Sequence, residues 1–191
     1  MGPELDAGAL RLLVSRAQQQ DPDAWEQLYR HCRPGLLGFA RRRLPDDHAA
    51  EDAVSEAFMR AIERVDTFTW QGAGFDAWMY GIARNVVLER HRGVQRDDRL
   101  GAKEAGRMDP RGWGGPEVDD DLVQDEEHGR VRRAFAQLGD DDRELLELRV
   151  IGGLTADEVG AVLDKKPGAI RMAQSRALER LRAAMEASAD A

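Results

Sequence analysis

The strongest constraint on this chain is a capping box near its end, followed by a turn and a basic helix. Thr155 is followed three residues later by Glu158, and in a capping box each of these side chains bonds the other residue's backbone N–H. A helix therefore begins at Thr155, and its apolar periodicity stops before Lys165 and Lys166. Pro167 stands where proline is tolerated, at the first position of a new helix. The pattern predicts a helix-turn-helix.

The second helix of this motif carries an excess of positive charge. Apolar residues recur along it at three- and four-residue steps from Ile170 to Leu181, which predicts one buried stripe. Between Lys165 and Arg182 the net charge is +5, in a chain whose net charge is −8. Two short helices joined by a tight turn, the second able to enter the major groove, are the geometry of helix-turn-helix DNA readers. A solvated basic face on an ordinary helical hairpin is the alternative.

Composition excludes several classes of protein. Apolar runs fall short of the roughly 18 residues that span a bilayer, and the N-terminus lacks a signal pattern, so we expect a cytoplasmic protein without membrane insertion. The single cysteine excludes an internal disulfide and a multi-cysteine metal site. The four histidines lie in separate segments without metal-ligand spacing, and the sequence has neither a glycine-rich phosphate loop nor a nucleophile motif. We therefore expect no enzyme activity, no metal and no cofactor.

The first part of the chain predicts three consecutive helices. A moderately amphipathic helix is expected over residues 5–19, and Asp21 caps a second one that begins at Pro22. A third ends near Val65. Apolar residues at four-residue steps in the second helix put Cys32 on its inward face, which indicates a buried structural thiol.

Residues 68–74 form a short loop that combines exposed-looking aromatic residues with glycines. A further helix follows, and its far end is rich in arginine. Aromatic rings beside cations are typical of a site for single-stranded or melted nucleic acid, because unstacked bases rest on π faces and the backbone needs positive charge. The alternative is that the rings are core aromatics, which we expect for Phe75 and Trp78 and leave open for Trp70.

Residues 97–128 differ in kind from the rest of the chain. Their net charge is −7, and residues 117–127 hold seven acidic residues and no basic one. With frequent glycine and two prolines, this composition predicts a flexible acidic linker. The chain is then all-α, with small helical domains at residues 1–96 and 129–191. In the second domain we expect Asp140 to cap the helix that precedes the helix-turn-helix.

Three stretches of the sequence together match the pattern of one protein family. They are AEDAVSEAF at residues 50–58, FDAWMYGIARN at residues 75–85, and the helix-turn-helix at residues 153–177. With these, the chain resembles the extracytoplasmic-function sigma factors of bacterial RNA polymerase, and the spacing Trp-x-x-x-Ile-Ala-Arg-Asn is the specific part. The resemblance implies a region 2 bundle and a region 4 helix-turn-helix. It also implies a function: binding core polymerase, directing it to promoters and helping to melt the −10 element.

The resemblance implies roles for individual residues as well. In region 2, a face that docks on the clamp of the largest polymerase subunit would consist of Asp52, Ser55, Glu56 and Arg60. The set implied to capture a flipped base of the −10 element and hold its backbone is Phe68, Trp70, Gln71, Arg84, Asn85, Arg90 and Arg92. Region 4 would meet the polymerase flap, and its −35 set is Lys165, Lys166, Arg171, Gln174, Ser175 and Arg176.

The sequence departs from the family pattern at a few of these positions. Ser55 replaces the usual glutamine of the core-binding motif, and Met172 and Ala173 stand where relatives often have polar or basic residues. Lys166 replaces the usual serine or threonine before the recognition helix; because it opposes the helix dipole, we expect it on a phosphate. The family's promoter preference is therefore not carried over.

Two further expectations concern partners. Members of this family are commonly held inactive by an anti-sigma factor that covers both domains, so we expect such a partner in addition to polymerase and promoter DNA. The alternative function is a stand-alone helix-turn-helix regulator, which would bind an operator without polymerase. That reading leaves the aromatic loop and the acidic face of residues 50–58 without a role.

Overall fold

A computed structural model describes residues 5–70, 73–99 and 122–187, with side chains described over residues 5–70, 73–92 and 129–187. The described residues form eight α-helices and no strand, so the prediction of an all-α fold is confirmed. The chain divides into two compact units, Met1–Asp109 and Pro110–Ala191. In the part of the chain that the structure describes, none of the helices has both the length and the apolar character to cross a membrane.

The first unit contains α1 (Ala7–Ala17), α2 (Pro22–Arg41), α3 (Asp47–Arg64) and α4 (Phe75–Arg99). A short 3₁₀ turn, Val65–Thr67, follows α3 directly. Helix α2 contacts the other three helices, and α3 also packs along α4. The predicted loop of residues 68–74 stands between the 3₁₀ turn and α4 in the sequence, and residues 68–70, 73 and 74 of it are described.

Aspartate caps start the first three helices of this unit. The carboxylates of Asp6, Asp21 and Asp46 accept hydrogen bonds from free backbone N–H groups in the first turns of α1, α2 and α3, at 2.7 to 2.9 Å for the shortest bond of each. Such caps satisfy donors that the helix itself leaves unpaired. The prediction of Asp21 as a cap, followed by Pro22, is confirmed.

The core of the first unit uses the apolar stripes expected from the sequence. Its largest fully buried side chains include Phe39, Phe75 and Met79. The glycine in the middle of α2 has a packing reason, since a Cβ at Gly35 would lie 2.5 Å from the hydroxyl oxygen of Tyr80. Glycine therefore leaves room for the hydroxyl end of the Tyr80 side chain, which reaches α2 from α4 at this point.

The second unit contains α5 (Leu122–Ala136), α6 (Asp140–Leu146), α7 (Ala156–Leu163) and α8 (Pro167–Ala187). One π-helical turn, Glu147–Ile151, continues α6. Helix α8 contacts α5, α6 and α7, so it forms the centre of this unit. Its buried residues Ile170 and Ala177 belong to the stripe predicted from the sequence.

Two features of the second unit differ from expectation. The cap of α6 is Gly139, whose backbone is extended, and Asp140 is the first residue of the helix, where its carboxylate pairs with Arg143. The prediction of Asp140 as the cap is wrong by one residue, because three consecutive aspartates all suit the positive end of the helix dipole. Helices α4 and α5 also extend into the range 97–128, of which residues 100–121 lie outside the described residues.

Candidate nucleic-acid interface

Phe68 lies at the centre of an aromatic cluster in the first unit. Its ring centroid is 5.1 Å from that of Trp70, 5.5 Å from that of Phe75 and 5.2 Å from that of Trp78. Only 6% of Phe68 is exposed. The expectation of an exposed Phe68 is therefore wrong, because the turn after α3 directs this ring into the core. As placed here, Phe68 packs in the core with the Trp70 ring against it.

The sequence left open whether Trp70 is a core residue. It is half-buried, with its ring edge-to-face against Phe68. The guanidinium of Arg11, from α1, lies 4.8 Å from the centroid of the Trp70 ring. Phe75 is buried and Trp78 is half-buried, as expected for core aromatics. Gln71, predicted beside them in the −10 set, lies outside the described residues.

Helix α4 carries the remaining residues of the predicted −10 set. Asn85 and Arg92 are exposed, and Arg84 and Arg90 are half-buried. Packing of α4 on α2 and α3 buries Ile82, Ala83, Val86 and Val87. Asn85 and Arg92, seven residues apart, therefore lie together on the outward face of the helix. An exposed amide on a rigid helix is a suitable group for hydrogen bonding to a base edge.

The predicted polymerase face on α3 is partly tied to α4. Asp52 and Ser55 are exposed. Glu56, in contrast, accepts hydrogen bonds from Arg60 at 2.5 Å and from Arg90 at 3.0 Å. A residue predicted to bind polymerase is therefore in contact with one predicted to bind DNA.

Arg60 is held by a second carboxylate, Glu89 of α4. Its guanidinium donates to the two carboxylate oxygens of Glu89 at 3.1 and 2.6 Å. The bond to Glu89, together with that to Glu56, raises the pKa of Arg60, and the bond from Arg60 lowers the pKa of Glu89. Glu89 was absent from the predicted sites, since pairing across 29 residues leaves no local pattern in a sequence.

The helix-turn-helix is built as the sequence predicts. The backbone N–H of Glu158 donates to the Thr155 hydroxyl at 3.2 Å, and the Glu158 carboxylate accepts from the Thr155 backbone N–H at 2.8 Å. Helix α7 ends at Asp164, which adopts the left-handed conformation with φ of 54°. A Cβ at Gly160 would lie 2.6 Å from the backbone oxygen of Lys165, so the turn folds closely against α7. These contacts place the start of α8.

Most of the predicted −35 residues lie on the solvent face of the turn and of α8. The exposed ones are Lys165, Lys166, Arg171, Ser175 and Arg176. Gln174 is half-buried, and its side-chain oxygen accepts a hydrogen bond from Arg149 Nε at 2.9 Å. Arg180, which contributes to the +5 charge of the segment, pairs instead with Asp142 of α6. The basic surface is therefore concentrated in the turn and the first half of α8.

One group of three side chains among the described residues could hold a metal ion: His31, Cys32 and Asp76, with ligand atoms within 4.8 Å of one another. Sequence spacing did not indicate it, because Asp76 is 45 residues from His31. His31 Nε2 lies 3.1 Å from Asp76 Oδ1, and Cys32 Sγ lies 3.6 Å from the same oxygen. Burial, with the charge of Asp76, raises the pKa of the Cys32 thiol well above its usual range. Hydrogen bonds from His31 and Cys32 to the Asp76 carboxylate account for this cluster, which joins α2 to α4.

Two families match the chain. Residues 28–97 match Sigma-70 region 2, and residues 134–183 match Sigma-70, region 4. The chain is 35% identical over 186 residues to the ECF RNA polymerase sigma factor ShbA of Streptomyces griseus, covering 91% of this chain and 94% of ShbA. It is 31% identical over 199 residues to the ECF RNA polymerase sigma factor SigD of Mycobacterium tuberculosis, covering 99% of this chain and 87% of SigD.

Two solved structures share the fold. CnrH, in complex with the cytosolic domain of CnrY, gives a TM-score of 0.64 at 23% identity and covers 93% of this chain and 97% of that one. The sigma factor RpoE of Bartonella quintana, in complex with the anti-sigma factor NepR, gives a TM-score of 0.61 at 24% identity and covers 84% and 96%. At these identities the likeness concerns the fold alone.

Proposed function

The chain belongs to the extracytoplasmic-function sigma factors, non-enzymatic proteins that direct RNA polymerase to promoters, and from this premise we propose that its two units divide promoter recognition between them. Region 4 reads duplex DNA at the −35 element, and region 2 holds the opened −10 element. We propose residues 1–96 and 129–191 as the bounds of these regions, with residues 97–128 as the linker. Because promoters and polymerase lie in the bacterial cytoplasm, the chain acts there.

Region 4 binds the −35 element through the turn and the first half of α8. The observation that carries this proposal is the exposed basic surface of Lys165, Lys166, Arg171 and Arg176, which lies on the turn and the second helix of the capped helix-turn-helix. In this proposal Arg171 and Arg176 enter the major groove, and Lys165 and Lys166 contact phosphates. Ser175 is exposed beside them, while Gln174 contributes by fixing α8 to the turn after α6 through Arg149.

Region 2 captures a flipped base of the −10 element at the loop that precedes α4. Asn85 supplies a hydrogen-bonding amide, Trp70 a ring surface, and Arg84 and Arg92 positive charge for the backbone. Unstacking a base costs a few kcal/mol, which pocket and stacking contacts offset. Phe68 takes part as the buried support of Trp70, and Gln71 is proposed from the resemblance only.

Core polymerase is bound through α3, with Asp52 and Ser55 as the exposed contacts on the clamp of the largest subunit. Glu56 and Arg60 adjoin this surface and connect it to Arg90 through their ion pairs. Region 4 meets the flap. An anti-sigma factor is a further proposed partner, supported by the relative RpoE, which has been solved in complex with the anti-sigma factor NepR.

In vitro transcription with purified core polymerase tests this function on a promoter selected by the wild-type holoenzyme from a randomised library. Asn85→Ala is expected to lose promoter melting roughly ten- to a hundredfold while keeping upstream binding, since one polar base contact is removed. Arg171→Ala is expected to lose −35 binding by a similar factor, because a good base contact contributes about 1–3 kcal/mol.

Each matched control removes the same kind of side chain from another exposed helical position. Arg182→Ala alters an exposed arginine farther along α8, and Gln27→Ala alters an exposed amide on α2. Both are expected to remain as active as wild type. If Asn85→Ala and Arg171→Ala transcribe like these controls, the assignment of the sites is wrong. If the wild-type chain binds an operator but never associates with core polymerase, it acts instead as a stand-alone regulator.

A further inference from the structure

We propose that α1 braces residues 65–70, where the loop before α4 begins, and that Gln18, at the end of α1, is a positioning residue for base capture. The inference rests on the function proposed above. Helix α1 lies before residues 28–97, which match Sigma-70 region 2, and it contacts α2. Gln18, directly after its last turn, also contacts Val65 and Phe68, in the segment between α3 and α4.

Gln18 holds both ends of the 3₁₀ turn. Its side-chain Nε2 donates to the backbone oxygen of Val65 at 3.0 Å and to that of Phe68 at 3.0 Å. A primary amide has two N–H donors, so both are used on this turn. The Val65 oxygen also accepts from the Phe68 backbone N–H at 3.0 Å, which closes the turn. The direction in which the chain leaves Phe68 is therefore set by a residue 50 positions earlier.

A second contact joins α1 to the loop beyond Phe68. The Arg11 guanidinium lies 4.8 Å from the centroid of the Trp70 ring. Arg11 and Gln18 are seven residues apart, which is about two helical turns, so they share one face of α1. This face contacts the backbone at residues 65 and 68 and the side chain at residue 70.

The two contacts have a direct consequence for base capture. A loop whose conformation is set before binding avoids the cost of ordering it when the base arrives. Phe68 is already held in the aromatic cluster, and Gln18 holds the backbone that carries it. Trp70 is held between Phe68 and Arg11. Helix α1 therefore holds Phe68 and Trp70 in place before the flipped base arrives.

Gln18→Met tests this role, because methionine keeps the length of the side chain and removes both donors. Open-complex formation by the holoenzyme, read by permanganate reactivity of unpaired thymines in the −10 element, is expected to fall roughly tenfold, as for the loss of about 1.4 kcal/mol. Affinity for core polymerase is expected to stay within about twofold, since α3 is unchanged. Gln19→Met, at the exposed neighbouring position, is the matched control and is expected to behave as wild type.

Promoters with an abasic nucleotide at one −10 position distinguish a positioning role of Gln18 from a general loss of protein stability. For the wild-type holoenzyme, removing the captured base should lower opening strongly at one position. With Gln18→Met the same abasic site should cost much less, because capture is already impaired. If the abasic site costs Gln18→Met as much as it costs wild type, the bracing role is overturned. If no abasic position affects wild type, the proposed base capture itself is wrong.

Arg11→Ala keeps the test decisive if Gln18→Met fails to fold. Arg11 is exposed, so its removal leaves the core intact. The expected result is a roughly threefold loss of opening with an unchanged thermal midpoint, because an exposed cation–π contact is a weak interaction. As with Gln18→Met, the abasic site should lower opening less in Arg11→Ala than it does in wild type. Full opening by Arg11→Ala, with the full abasic penalty, would contradict the role of α1.

Discussion

His31 connects α2 to Asp76 of α4 by a hydrogen bond whose strength depends on pH. The bond to the Asp76 carboxylate, 3.1 Å long, raises the pKa of His31 above 6.5 despite its partial burial. A histidine whose pKa is higher in the folded state stabilises the fold fully below its unfolded pKa, and this contribution is lost as the pH rises through the folded pKa. The junction of α2 and α4 is therefore stronger in mild acid.

We predict that His31→Gln destabilises the chain more at about pH 5.5 than at about pH 8.5, on either side of the ordinary histidine range. The measurement is the difference in thermal midpoint between wild type and variant at each pH. His48→Gln is the control, since His48 is 88% exposed and lies 3.9 Å from Asp52. An equal effect of His31→Gln at both pH values would contradict the prediction.

Phe68 shows how far individual residues could be assigned from sequence. An aromatic residue in a glycine-containing loop suits a base-stacking surface as well as a core position. Burial was decided by contacts with Phe75 and Trp78, which lie on the following helix. Asn85, by contrast, is exposed on its helix, and the apolar period of α4 in the sequence is enough to distinguish its two faces.

At the scale of elements, the turn between α7 and α8 depends on close backbone contact. Gly160 lies where a Cβ would meet the Lys165 carbonyl oxygen at 2.6 Å, and the Lys165 backbone N–H donates to the Gly160 oxygen at 2.9 Å. Backbone atoms cannot move away as the end of a flexible side chain can. The identity of this residue is therefore constrained by the helix-turn-helix itself.

We predict that Gly160→Ala lowers the free energy of unfolding by about 1–3 kcal/mol through overpacking and weakens −35 binding with it. The measurement is urea denaturation of the full chain, followed by circular dichroism. Gly168→Ala is the matched control, since a Cβ there would meet no described atom within 4 Å; it should be neutral or stabilising by up to about 1 kcal/mol. Equal stability of the two variants would show that the turn relaxes freely.

Helices α3 and α4 are joined by charges as well as by their core. Glu56 and Glu89 between them hold Arg60, and Glu56 also holds Arg90. Exposed ion pairs contribute little stability individually, about 0–1 kcal/mol each. Their effect here is to orient four side chains at the boundary between the proposed polymerase and DNA surfaces. A change at Glu56 should therefore affect both surfaces.

At the scale of the whole molecule, charge is divided among segments. Residues 165–182 have a net charge of +5, and residues 97–128 have a net charge of −7. An acidic segment in the same chain competes with phosphate for basic residues, and this competition weakens as salt screens it. We expect polymerase to relieve this competition when it binds the two units.

We predict that the isolated chain binds promoter duplex at least roughly tenfold more weakly than the holoenzyme at low salt. Replacing the seven acidic residues of 117–127 by their amides should raise the affinity of the isolated chain. Fluorescence anisotropy with labelled duplex measures both, and the gain should shrink at high salt. Equal affinity of free chain and holoenzyme at the same salt would exclude this competition.

The sequence alone determined the features that depend on residues a few positions apart. The caps at Asp21 and Thr155, the helical periods and the outward face of the basic recognition helix all follow from local spacing, because helix geometry brings residues three and four apart together. At the start of α6, local spacing placed the cap at Asp140, one residue after the true cap, Gly139.

The tertiary structure alone decided the contacts between distant segments. Gln18 meets Phe68 across 50 residues, His31 meets Asp76 across 45, and Arg60 meets Glu89 across 29. None of these pairs has a period or a motif, because each exists only after packing has brought distant segments together. The burial of Phe68 and the bracing of its loop by α1 belong to this second kind: they are consequences of the packed core, which local spacing does not specify.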